Sequence, residues 1–122
     1  MSNQRVVIYA RSRDKTAVDI QAKSMQTYCQ RNGYEVMGTV RDKRSGKHIN
    51  RWNIRKAIKL AIKTKSAMIV TSNLSRISRN TLNVITFLNH IEKHEIKLRC
   101  ADEELTLKNG NAFSKEFLKS FH

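Results

Sequence analysis

Arg5-Val-Val-Ile-Tyr-Ala10 is a β-branched, almost continuous apolar run. That is the pattern of a strand buried on both faces, as in a parallel sheet. Working outward from it, the chain alternates. Residues 11–16 are polar, and then Val18, Ala22, Met25 and Cys29 recur at helical spacing until Asn32-Gly33 supplies a stop. Glu35 to Val40 reads as a second strand, and residues 41–50 as a basic loop around Ser45-Gly46. Ile54, Ala57, Ile58, Ala61 and Ile62 form the apolar stripe of a second helix. Ala67-Met-Ile-Val-Thr-Ser72 is a third strand and residues 73–79 a polar loop. Asn80 is placed to cap a third helix, with Val84, Phe87, Leu88 and Ile91 on one face. Ile96 to Ala101 makes a fourth strand, Glu104–Leu107 a short fifth, and residues 111–122 a last helix. This order predicts an α/β fold: a mainly parallel central sheet of four to five strands with helices on both faces.

Composition narrows the function. The 122 residues carry 24 Lys+Arg against 10 Asp+Glu, a formal charge of +14, while 39% hydrophobic content suffices for one core. A folded chain with that excess repels itself, so a polyanion is the expected partner. No apolar run approaches membrane-spanning length, and no signal-peptide stretch follows the N-terminus. Cys29 and Cys100 are too few for a disulfide framework and lack metal-ligand spacing, so a reduced, cytoplasmic protein is expected. With no Pro and four Gly there is no linker composition, and residues 1–122 are read as a single domain.

In parallel α/β sheets, functional sites gather at the loops after strand C-termini. Those loops all carry arginines: Arg11 and Arg13; Arg41, Arg44 and Arg51; Arg76 and Arg79. Guanidinium forks suit bidentate phosphate binding. Residues 41–65 hold ten basic side chains and one acid, Asp42, a net +9. Within them Arg55, Lys56, Lys59 and Lys63 lie opposite the apolar stripe, either as a solvated helix face or as a phosphate-facing surface. Ser12, between Arg11 and Arg13, is a candidate nucleophile: a serine hydroxyl attacks phosphorus when neighbouring cations stabilise the developing negative charge.

Tyr9-Ala-Arg11-Ser12, Asp19-Ile-Gln21, Asp42-Lys-Arg-Ser45-Gly46, Arg51 and Leu74-Ser-Arg76-Ile-Ser-Arg79 occur in one order. Together they resemble the catalytic domain of the serine recombinases, the resolvase/invertase family, from about Arg5 to about Leu107. The resemblance implies site-specific DNA recombination: a serine attacks a phosphodiester, giving a 5′-phosphoserine link and a free 3′-hydroxyl, and the strands are exchanged in a synaptic tetramer and rejoined. It implies neither metal nor other cofactor. By motif, Ser12 is the nucleophile, Arg11, Arg51, Arg76 and Arg79 clamp the scissile phosphate, and Gln21 supports the site. Arg13, Arg44, Ser45, Lys47, Arg55, Lys56, Lys59 and Lys63 are expected on double-stranded DNA. The chain is then expected to be a single catalytic domain ending near the start of the family's long dimerisation helix, without the DNA-binding domain that usually follows. A homodimer or tetramer is expected when that helix is complete.

Two positions depart from the family pattern. The motif is Tyr-x-Arg-x-Ser, whereas Ser12 follows Arg11 directly, and Ser75 stands where an Asp is usual. They motivate the alternative of a catalytically degenerate recombinase-fold protein that binds DNA or pairs with an active recombinase. Further afield lies a generic basic α/β module for RNA or protein. His90 and His94 are i, i+4 on one helix but lack a third metal ligand. Trp52 is read as partly buried rather than stacked on a base.

Overall fold

The computed structural model describes residues 4–43 and 51–108, with residues 51–53 described at the backbone only. Its elements are β1 (Arg5–Arg11), α1 (Lys15–Arg31), β2 (Glu35–Asp42), α2 (Arg51–Lys63), β3 (Met68–Thr71), α3 (Thr81–Glu92), β4 (Lys97–Cys100) and β5 (Leu105–Leu107). A 3-10 turn, Leu74–Arg76, interrupts the loop between β3 and α3. The sheet order is β2-β1-β3-β4-β5. Pairs β1–β2, β1–β3 and β3–β4 are parallel, and β4–β5 is antiparallel. The mainly parallel α/β fold read from the sequence is therefore what the chain adopts. The helix read over residues 111–122 lies outside the described residues.

Alternation along β1 divides the core. Val6 and Ile8 face Met25 and Cys29 of α1, together with Met68 and Val70. Val7 and Tyr9 face the other way, into the larger cluster with Ile54 and Ile58 of α2, Phe87 and Leu88 of α3, and Leu98. β1 is buried along all but its first residue, which is why its sequence is apolar at every position rather than at alternate ones. Ile62, counted with the α2 stripe, is 43% exposed. At 3.6 residues per turn it stands about 80° round the helix from Ile54, at the margin of the stripe.

The ends of the helices follow local chemistry. Asp14 accepts from the Ala17 N–H (3.1 Å) and caps α1, while Asn80 accepts from Leu82 N–H (2.9 Å) and Asn83 N–H (3.3 Å) and caps α3, as expected. Gly33 ends α1 at φ +71°, a conformation that favours glycine. Gly38 on β2 admits a close approach: a Cβ there would come within 2.5 Å of Leu60 Cδ2.

Both thiols are buried. Burial pushes Cys29 up to about 11 and raises Cys100 as well, the nearby Glu103 carboxylate adding to the effect at Cys100. At pH 8 both are expected to resist iodoacetamide in the folded protein and to react together in urea. Mass spectrometry that found either thiol modified without unfolding would contradict the packing described.

Candidate active site at the sheet switch point

β1 is followed by β2 on one side and, after α2, by β3 on the other. The crevice at the carboxyl ends of β1 and β3 is thus the topological switch point, where open α/β sheets bind ligands. This brings the loop after Arg11 against the Leu74–Arg76 turn, some 65 residues further along the chain.

Two arginines interlock there. Arg11 is only 5% exposed. Its Nε donates to the Arg76 carbonyl and an Nη donates to the Ser75 carbonyl. Arg76 returns the contact, its Nη donating to the Arg11 carbonyl at 3.1 Å. Gln21 from α1 brackets the same peptide: its Oε1 accepts from the Arg11 N–H (2.9 Å) and its Nε2 donates to the Arg11 carbonyl (3.2 Å). Burial lowers the Arg11 pKa; Tyr9 and Asp42 oppose that shift, and the charges of Arg76 and Arg79 lower it further. Arg76 and Arg79 thus both stand close enough to Arg11 to act on it electrostatically. Arg76 is half-buried and Arg79 exposed.

Ser12 is the first residue after β1. Its N–H donates to the Asp42 carbonyl at 3.0 Å, carrying the β1–β2 pairing one step past the strand. Its Oγ accepts from the Asp14 N–H at 3.5 Å, and the chain then bends into α1. Ser12 is half-buried. Arg13 beside it is exposed.

Behind Ser12 lies a pair to which motif reading assigned no task. Tyr9 Oη donates to Asp42 Oδ2 at 3.1 Å, with Asp42 1% exposed. Burial and the Asp42 carboxylate both raise the Tyr9 pKa, so the phenol stays protonated and available as a donor. The one acid inside the basic 41–65 stretch was the available signal. Glu103 had none. Its Oε1 accepts from the Leu74 N–H at 2.8 Å and fastens the arginine-bearing turn to the β4–β5 connection. The Ser75 hydroxyl hydrogen-bonds Asn73 Oδ1.

The remaining expected residues divide plainly. Arg55, Lys56, Lys59 and Lys63 are exposed on α2, opposite its buried Ile54, Ala57, Ile58 and Ala61. Arg41 pairs with Asp19 of α1 at 3.3 Å. Arg44, Ser45 and Lys47 lie outside the described residues, as do the side chains of Arg51 and Trp52, Arg51 opening α2. Among the described residues no group of three or more His, Cys, Asp or Glu could hold a metal ion. His90 and His94 lie with ring centroids 5.6 Å apart. No helix of the described residues is long and apolar enough to cross a membrane.

A serine thus stands at a strand end beside clustered arginines, at the switch point of a mainly parallel sheet. The chain belongs to the resolvase N-terminal domain family, which it matches over residues 6–122. Solved structures share the fold. The N-terminal catalytic domain of TP901-1 integrase is 21% identical at a TM-score of 0.75, covering 98% of this chain and 99% of that one. A resolvase family site-specific recombinase from Streptococcus pneumoniae is 22% identical at 0.77, covering 98% and 87%. The C-terminal catalytic domain of ISC1926 TnpA, an IS607-like serine recombinase, is 22% identical at 0.68, covering 80% and 68%. No curated protein sequence matches.

Proposed function

We propose that this chain is the catalytic domain of a site-specific DNA recombinase that cleaves and rejoins double-stranded DNA through Ser12. The interlock of Arg11 and Arg76 beside Ser12, with Arg79 near enough to act on Arg11 electrostatically, carries the reading. Family membership supports it. Ser12 Oγ attacks the phosphorus, the P–O3′ bond breaks, and the strand leaves with a 3′-hydroxyl while its 5′-phosphate stays on the serine. Reversal by another 3′-hydroxyl rejoins the strands. The added negative charge of the transition state falls to the guanidiniums of Arg76 and Arg79. Arg11 is a positioning residue: its guanidinium is spent on two carbonyls, and it fixes the turn that carries Arg76. Gln21 secures Arg11 from the α1 side. Exchange between two duplexes requires more than one such domain, so the working form is an oligomer.

A nicked suicide substrate tests this. The expected product is a covalent DNA–protein adduct whose phosphorylated peptide contains Ser12. Failure to trap any adduct, with the chain joined to a DNA-binding domain that delivers it to its site, would favour the degenerate accessory protein. The Ser75 hydroxyl turned to Asn73, where the family has a carboxylate, is the observation behind that second reading.

The α2 face supplies affinity without sequence information. Charge-neutral replacement of Lys56, Lys59 and Lys63 together is expected to flatten the plot of log K for duplex DNA against log salt by roughly 2–3. An unchanged slope would remove α2 from the DNA surface.

A further inference from the structure

On the α1 side of Arg76 lies a cavity of about 330 Å³, lined by Gln21, Ser24, Met25, Ser72, Arg76 and Asp102 among others. Two of its lining residues carry buried polar atoms with no hydrogen-bond partner among the described residues: Ser72 Oγ and Arg76 Nε. Ser72 is 5% exposed. An orphaned buried hydroxyl and an orphaned guanidinium N–H are each costly, and a native fold keeps such groups where something else satisfies them. Both can donate, and one belongs to a cation, so an anionic oxygen is the complementary group.

We infer that this cavity is a second phosphate subsite, taking the phosphate that adjoins the reacting one on the same DNA strand. The inference rests on the proposed recombinase reading. Arg76 then serves two phosphates. Its Nη, held on the Arg11 carbonyl, stands on the Ser12 side, and its Nε, with Ser72 Oγ, serves the cavity. Gripping two successive phosphates fixes the direction of the strand as well as its position, which in-line attack by Ser12 requires. Asp102 is exposed at the same cavity. Its carboxylate opposes an anion, which gives the assignment a sign that can be tested.

The test is titration of the whole chain with inorganic phosphate, followed by amide chemical shifts. Saturable shifts at Ser72 and Arg76 are expected. Ser72→Ala should weaken binding by about tenfold, from the loss of one hydrogen bond to a charged group. Asp102→Asn, a surface change that leaves the fold intact, should tighten it by about threefold. A short duplex should displace the phosphate.

Absent saturation, or equal affinity in Ser72→Ala, would overturn the subsite. Weaker binding in Asp102→Asn would also overturn it, because the carboxylate would then be favouring the binding it should oppose. A duplex that binds without displacing phosphate would exclude DNA as the occupant. Phosphate binding breaks no bond, so a missing Ser12 adduct with these titrations intact counts against the recombinase chemistry alone. The adduct without the titration behaviour counts against the subsite alone.

Discussion

Ser12→Ala is expected to abolish covalent DNA attachment while leaving the fold and non-covalent DNA binding as they were. The chemical loss is large, about four orders of magnitude or more, because nothing replaces an absent nucleophile. The structural loss is small. Ser12 bonds to Asp42 through its backbone N–H, which alanine keeps, and its Oγ takes only a 3.5 Å contact from the Asp14 N–H. Urea unfolding should therefore place the variant within about 0.5 kcal/mol of the parent. An adduct that survives in Ser12→Ala would show that another residue attacks the phosphorus. Its mapping would then decide the register of the loop that follows Tyr9-Ala-Arg11.

Arg11→Ala is expected to lower stability by about 3 kcal/mol, the order found when one partner of a buried charged pair is removed. Three things fail together. The carbonyls of Ser75 and Arg76 lose their donors. The buried Asp42 carboxylate loses the nearby positive charge felt in the Arg11 pKa. The Leu74–Arg76 turn is left with two side-chain tethers, Glu103 on the Leu74 N–H and Arg76 on the backbone carbonyl at position 11. Arg11→Lys keeps the charge but has no planar fork to span two carbonyls. It should recover part of the stability, while adduct formation stays depressed because Arg76 is no longer held in place. Full adduct formation in Arg11→Lys would mean that the bridging contacts do not position Arg76. Full stability in Arg11→Ala would mean that they do not hold the turn.

Much of the fold was legible along the chain. Strands buried on both faces are apolar throughout, as at Val6–Ala10, and half-buried helices show a stripe, as at Ile54, Ala57, Ile58 and Ala61. Those patterns are local consequences of burial. Asn80 and Gly33 were legible for the same reason, since a cap or a left-handed turn is set by its own few residues. The candidate site was legible in its members and not in their tasks. Arg11, Arg76 and Arg79 stood out as arginines at strand ends. That Arg11 turns inward to bind carbonyls, while Arg76 and Arg79 stay nearer solvent, depends on which side of a loop is covered. Glu103 and Ser72 had no signal: one matters through a bond to Leu74, 29 residues away, and the other through a buried hydroxyl with no partner among the described residues.

By itself, then, the sequence determined the strand–helix order, the helix caps, the charge excess and its concentration in residues 41–65, and the arginines at the strand ends, because each depends on residue type and spacing alone. Tertiary structure alone decided that β1 lies between β2 and β3 and so meets the Leu74–Arg76 turn at the switch point. It alone set Tyr9 on Asp42, locked Arg11 with Arg76, and left Ser72 Oγ and Arg76 Nε buried without a partner among the described residues. The physical reason is that hydrogen bonding and desolvation act over a few ångströms in space, between groups whose separation along the chain carries no trace of the contact.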